Sequence, residues 1–170
     1  MCLRLADARA TEALGARLAG PLAAACAAAP LVVHLEGPLG AGKTTLARGL
    51  LRGLGHEGRV RSPTFTLLEP YELSSCQVIH LDLYRLADPG ELEYLGLVDM
   101  LAPGTVALVE WAARGGDRLP RADLRIALDY DGDGRCAELA GATPAGERVI
   151  EAAGSPLEPP GAPGGTGRTA

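Results

Sequence analysis

The chain has 170 residues, 47% of them hydrophobic, and a net charge of −5. That length suits one domain with a proper core, and the negative balance speaks against a free-standing nucleic-acid binder, which needs clustered cations to hold phosphate backbones. A single Phe and a single Trp leave the core to leucine, valine and alanine.

Leu3 to Leu5 reads as a short edge strand. Asp7 is placed to cap a helix through Thr11, Leu14 and Leu18. Residues 18–33 carry no charge, yet the stretch is too short for a membrane span, mostly alanine, and broken by Pro21 and Pro30. Asp7 and Glu12 spoil the basic leader of a signal peptide, so a cytoplasmic location without a membrane is expected. Leu31-Val32-Val33-His34-Leu35 is an apolar run that reads as a buried strand.

Gly37-Pro38-Leu39-Gly40-Ala41-Gly42-Lys43-Thr44 follows, and it fits the phosphate-loop pattern Gly-x-x-x-x-Gly-Lys-[Ser/Thr]. A chain of this composition would contain such a match by chance about once in a thousand. Leu46, Leu50 and Leu54 then recur at i, i+4 and i+8, the stripe of an amphipathic helix, and Gly55 suits its C-terminal stop. The motif therefore sits between a strand and a helix, where its chemistry requires it. Lys43 is the only lysine in the chain. A compact ammonium suits a phosphate crevice that a planar guanidinium does not fit. The backbone of Gly37, Gly40, Ala41 and Gly42 is expected to cradle phosphates with its N–H groups, helped by the helix N-terminus. Lys43 should reach the β- and γ-phosphates, the Thr44 hydroxyl a Mg²⁺ ion, and Thr45 the α-phosphate. Arg48, Arg52, Arg59 and Arg61 face only Glu57 over this stretch; a solvated helix face is the expected reading, and a patch for a partner or RNA the alternative.

Ser62-Pro63-Thr64 reads as an extended loop that continues as a strand to Tyr71. Val78 to Asp82 is a second buried strand. Asp88-Pro89-Gly90-Glu91 opens a helix with Pro89 at its first position. Val106 to Glu110 is a third buried strand. Leu124 to Leu128 and Cys136 to Leu139 are further strands, a hairpin around Asp131-Gly132-Asp133-Gly134. Gly146 to Ala153 forms a last helix. Residues 1–153 make the domain, and residues 154–170, rich in Gly and Pro, are expected to be a disordered tail. Strands alternating with helices imply an α/β fold of the P-loop NTPase-like, three-layer kind with a mostly parallel central sheet. Cys2, Cys26, Cys76 and Cys136 have no metal-like spacing and read as reduced apolar fillers. His34 and His80 read as strand residues, not ligands.

Two acids end buried strands, Asp82 and Glu110. Ligands of such folds bind at the carboxyl ends of the strands, where a carboxylate can hold Mg²⁺ or orient an attacking water. The chain has no Asn, and its only Lys lies in the loop, so it cannot carry the Asn-Lys-x-Asp segment that reads guanine; ATP is favoured over GTP.

The loop, the segment Ser62-Pro63-Thr64-Phe65-Thr66-Leu67-Leu68-Glu69-Pro70-Tyr71, then His80-Leu81-Asp82-Leu83-Tyr84-Arg85-Leu86 and Val109-Glu110-Trp111 together resemble the bacterial TsaE family, over residues 7–151. That family supplies the ATPase subunit for making threonylcarbamoyladenosine in tRNA. The resemblance implies that Lys43 and Thr44 bind phosphate and Mg²⁺, and that Ser62 to Thr66 form a switch-like loop near the γ-phosphate with Thr64 as contact. It implies Asp82 as the Walker B-like acid, Glu110 as a second carboxylate on the Mg²⁺ side, and Trp111 flanking the nucleotide or a partner. It brings Thr11 and Arg135 to the nucleotide from the two ends of the chain. It also implies TsaB-like and TsaD-like partners that hold the tRNA, so that this chain meets tRNA only indirectly, and ATP hydrolysis that resets their complex between rounds, slow in the isolated chain. Where the family commonly has Asp, this chain has Pro38, which removes one N–H donor and one acid. Two other readings compete: a small-molecule kinase with Arg114, Arg118 and Arg121 as phosphate clamps, and a non-hydrolysing, ATP-dependent docking module.

Overall fold

A computed structural model describes residues 1–154. One seven-stranded sheet runs through the molecule: β1 (Cys2–Leu5), β2 (Leu31–Glu36), β3 (Leu68–Glu72), β4 (Gln77–Asp82), β5 (Thr105–Glu110), β6 (Leu124–Asp131) and β7 (Gly134–Gly141). Their spatial order is β1-β7-β6-β2-β5-β4-β3. The central strands β6, β2, β5 and β4 are mutually parallel, while β1, β7 and β3 join antiparallel at the two margins. The parallel character is thus confined to the centre. Short turns force the antiparallel β3–β4 and β6–β7 pairings, because such a turn cannot return a strand in parallel, and β1 adds to β7 from the other end of the chain. The α/β fold and its sandwich of layers are as the alternation of strands and helices implies.

Helices α1 (Ala8–Cys26), α2 (Lys43–Gly53) and α5 (Pro144–Gly154) are joined by one core cluster to one face of the sheet. The short turns α3 (Glu91–Tyr94) and α4 (Leu97–Met100), with a 3-10 segment (Ala112–Arg118), belong to the cluster on the other face. Strands β2, β4 and β5 are almost wholly buried, as continuous apolar runs between two layers should be.

The Asp7 side chain accepts the Ala10 amide at 2.8 Å and starts α1 as its position requires. Helix α1 does not break at Pro21 but runs on to Cys26. Leu18, Leu22 and Cys26 are fully buried along it, and that packing outweighs the lost backbone bond. Leu46 and Leu50 of α2 are fully buried and Leu54 nearly so. Its end is a Schellman turn: Gly55, at φ 95°, donates to Arg52 O at 3.0 Å, and His56 donates to Leu51 O at 2.9 Å. Helices α1 and α2 cross very closely. A Cβ on Gly15 would lie 2.2 Å from the Leu46 carbonyl oxygen, and one on Gly49 would lie 2.1 Å from that of Glu12. The same Glu12 takes Arg48 and Arg52 into ion pairs at 3.1 Å each, so these arginines tie α2 to α1 and are not simply a solvated face.

The helix expected to open at Asp88 with Pro89 as its first residue starts instead at Glu91. The Asp88 carboxylate accepts the Gly90 amide at 2.6 Å, and Glu91 reaches back to the Asp88 amide at 3.0 Å, so the sequence builds a turn ahead of the helix. Gly96, at φ 65°, then separates α3 from α4. The expected tail lies outside the described residues except for Gly154, which ends α5. No helix among the described residues is long and apolar enough to cross a membrane.

Candidate functional site

The phosphate-loop segment, residues 37–42, links β2 to α2 and needs glycine for two reasons. Gly37, Gly40 and Gly42 have φ of 131°, 77° and 106°. A Cβ on Gly37 would also lie 2.1 Å from the Leu128 carbonyl oxygen. The loop's carbonyls are tied back by side chains. Lys43 Nζ donates to Gly37 O at 2.8 Å and Pro38 O at 2.9 Å, Tyr130 Oη donates to Leu39 O at 2.7 Å, and Arg135 Nη2 donates to Gly40 O at 3.3 Å. The Ala41 amide bonds Pro38 O at 3.2 Å, whereas the amides of Leu39, Gly40, Gly42, Lys43 and Thr44 have no acceptor among the described residues. Capped carbonyls and unsatisfied N–H groups at a helix N-terminus fit an anion of phosphate type. Pro38 removes one N–H from this set and leaves the Lys43 contact in place.

Two recesses flank the loop and share Gly40, Gly42 and Thr45. The first, about 320 Å³, takes in Lys43, Thr44, Ser62, Thr64, Asp82, Tyr84, Arg85, Glu110 and Trp111. The second, about 350 Å³, takes in Asp7, Thr11, Ala41 and Arg135. The residues expected at the nucleotide and the metal all border one recess or the other, apart from Gly37.

In the first recess the two acids stand side by side. Asp82 and Glu110 are register partners that close β4 and β5, exposed by only 4% and 3%. Each carboxylate is held by donors. Asp82 Oδ2 accepts Thr64 Oγ1 at 2.8 Å and the Ser62 hydroxyl, and Oδ1 accepts the Tyr84 amide at 3.0 Å. Glu110 Oε1 accepts Thr44 Oγ1 and pairs with His80 Nε2, both at 2.9 Å. Thr64 is thus joined to the acid across the recess from the loop. Burial pushes the Lys43 ammonium below its ordinary value, while the carboxylates of Glu110 and Asp82 push it back up. Its Nζ lies 4.1 Å from the centroid of the Trp111 ring, which also contacts Tyr84 at 5.0 Å. Trp111 follows Glu110 directly and has a left-handed backbone, φ 60° and ψ 38°, an uncommon and costly conformation for a bulky residue.

The described residues contain no group of three or more His, Cys, Asp or Glu suited to a metal. One hydroxyl and two carboxylates are an all-oxygen set, and they fit a hard cation such as Mg²⁺ that completes its shell with phosphate and water.

Thr11 is buried against its own helix, its hydroxyl donating to Asp7 O at 3.1 Å, while Arg135 lies with its guanidinium 4.3 Å from the Tyr130 ring centroid. The arginines of the kinase reading do not converge. Arg114 lies over Tyr84, Arg118 pairs with Glu93, and Arg121 borders a separate recess with His34 and Arg125. His80 is the strand residue it was read as, but its bond to Glu110 was not foreseen, and Tyr84 and Tyr130 were given no role from the sequence. For His80 the signal was there: on a strand, a residue two places before Asp82 shares its face.

The family model described as "Threonylcarbamoyl adenosine biosynthesis protein TsaE" matches residues 5–137. The chain is 48% identical over 122 residues to the tRNA threonylcarbamoyladenosine biosynthesis protein TsaE of Haemophilus influenzae, covering 72% of this chain and 77% of that one. It is 40% identical over 142 residues to the protein of the same name from Nostoc, covering 79% and 82%. The crystal structure of Bacillus subtilis YdiB matches with a TM-score of 0.68 at 30% identity, covering 90% of this chain and 93% of that one.

Proposed function

Because the chain belongs to the TsaE family, we propose that it is the ATP-binding and ATP-hydrolysing subunit for formation of N6-threonylcarbamoyladenosine beside the tRNA anticodon. In this reading it acts in the cytoplasm on a complex of TsaB-like and TsaD-like proteins, which hold the tRNA, and its ATP hydrolysis resets that complex between rounds. The observation that carries the reading is the pairing of Asp82 with Glu110 at the ends of adjacent parallel strands, with Thr44 bonded to Glu110 across the recess from the loop.

The unpaired loop amides of Leu39, Gly40, Gly42, Lys43 and Thr44 would take the phosphates, and Lys43 would exchange its two loop carbonyls for β- and γ-phosphate oxygens. Thr44, Asp82 and Glu110 would hold Mg²⁺, which when bound neutralises phosphate charge. Thr64 and Ser62 sit on Asp82, so a γ-phosphate that drew Thr64 away would move the whole Ser62 to Thr66 segment, a switch of the γ-phosphate type. Glu110 is the group available to orient water. Thr11 and Arg135, in the second recess, would meet the nucleoside end, and Trp111 would cover Lys43.

The test is phosphate release from ATP and Mg²⁺ by the purified chain, alone and with the two partner proteins. Strong stimulation by the partners, lost in Lys43→Ala, is expected. Equal turnover with and without them points to an independent enzyme and overturns the subunit reading. The kinase alternative has little geometric support, since Arg118 is paired elsewhere and Arg121 faces another recess.

A further inference from the structure

His80 is fully buried in β4, and its one hydrogen bond is from Nε2 to Glu110 Oε1 at 2.9 Å. Its Nδ1 is buried with no partner. A ring that held its proton on Nδ1 would bury an unpaired N–H and set a lone pair against a carboxylate oxygen, so the proton belongs on Nε2. Packing alone does not account for this residue. The neighbouring inward positions Val78, Ile79 and Leu81 are apolar and fully buried, and a leucine at position 80 would leave no nitrogen unsatisfied. What the imidazole adds is a donor aimed at one oxygen of one acid.

That oxygen also accepts the Thr44 hydroxyl at 2.9 Å. Both donors hold Oε1, and Oε2 has no partner among the described residues in a carboxylate that borders the cleft. If Thr44 turns its hydroxyl to a cation, as the proposed function has it, Glu110 keeps a single side-chain anchor. We propose that His80 is a positioning residue: it grips Oε1 from inside the sheet and keeps Oε2 presented to the reacting centre throughout turnover. This rests on the ATPase reading above. The role is mechanical, since the strand backbone fixes the ring and the ring fixes the rotation of the carboxylate.

Three variants test it in the full chain with its partner proteins. His80→Leu keeps the volume and loses the donor, and His80→Gln places an amide N–H near the position of Nε2. The third joins His80→Leu to Glu110→Gln. Expected for His80→Leu are an unchanged or higher melting temperature, unchanged ADP affinity by calorimetry, and a kcat lowered roughly 10- to 100-fold at similar KM. His80→Gln should recover most of that loss, and His80→Leu should cost nothing further once Glu110 is already Gln. A folded His80→Leu protein with parental kcat, or a loss that persists in full in the Glu110→Gln background, overturns the proposal while leaving the ATPase reading intact. A parent chain with no ATP turnover under any partner condition overturns that reading and this inference with it.

Discussion

Lys43 shows how one side chain can be read twice. It is the single lysine of the chain, and it is almost fully buried with its ammonium on loop carbonyls and beside an indole ring. Lys43→Ala is expected to fold with a parental circular dichroism spectrum and to lose at least tenfold in ATP affinity by calorimetry, because a charge-assisted contact is worth about 1.5–3 kcal/mol. Lys43→Arg should not restore it, since a planar fork cannot occupy the same crevice. The cysteines give a residue-scale prediction of another kind. Burial, with the Cys76 thiol adding to it, pushes Cys26 from an ordinary 9.0 up to about 11. Above pH 9 the unfolded chain releases that proton while the folded chain keeps it, so this thiol's share of stability is complete below pH 9 and fades as pH rises toward 11. Urea titrations from pH 8 to 11 should show a steeper fall for the parent than for Cys26→Ala. In native protein a thiol reagent should modify exposed Cys2 well before Cys26.

At the level of elements, the crossing of α1 and α2 bears on the site, because α2 begins at Lys43 and its N-terminus is the floor of the loop. Gly15→Ala pushes a methyl into the α2 backbone and should cost about 3 kcal/mol in urea unfolding, with weaker nucleotide binding as the helix shifts. Gly20→Ala on the same helix meets no other element within 4 Å, but Pro21 follows it and the proline ring crowds a preceding Cβ in helical backbone, so a smaller loss than for Gly15→Ala and no gain is expected in the same titration. Strands were the most legible elements: β2, β4 and β5 are uninterrupted apolar runs, and their acidic last residues were visible as such. The turn at Asp88 was misread because Pro89 suits a first helical position, while the bonds among Asp88, Gly90 and Glu91 that hold the turn depend on side-chain direction. Pro21 was misread the other way, as a breaker, because the burial that carries a helix through a proline is a tertiary property. Within the site, the motif residues were legible from spacing. The anchoring of Glu110 by His80 and Thr44, and the ties from Tyr130 and Arg135 to loop carbonyls, were not, since they depend on which strands become neighbours.

At the scale of the whole molecule, the two recesses draw on the start of α1, the loop, the segment from Ser62, the ends of β4 and β5, and the β6–β7 hairpin. A ligand that spans both would clamp distant parts of the chain. ATP with Mg²⁺ at a hundredfold excess over Kd should stabilise the fold by about 2.7 kcal/mol, a rise of several degrees in a thermal melt that falls to about half or less in Lys43→Ala at the same ligand concentration. The margins of the sheet bear on how a partner can approach. At one edge, β3 carries Pro70 opposite Ile79. The flanking bonds, Asp82 to Leu67 O and Leu73 to Cys76 O, put the wide, non-hydrogen-bonded positions at even spacing, and Pro70 falls on one, its nitrogen turned away from β4. The outward row where an incoming strand would pair therefore lacks a donor at its centre. The other edge, β1, is four residues long. Both margins are poor templates for a borrowed strand, so growth of the sheet into ordered aggregates is disfavoured, and a protein that assembles with this one is expected to recognise side chains and loops more than an open backbone ladder.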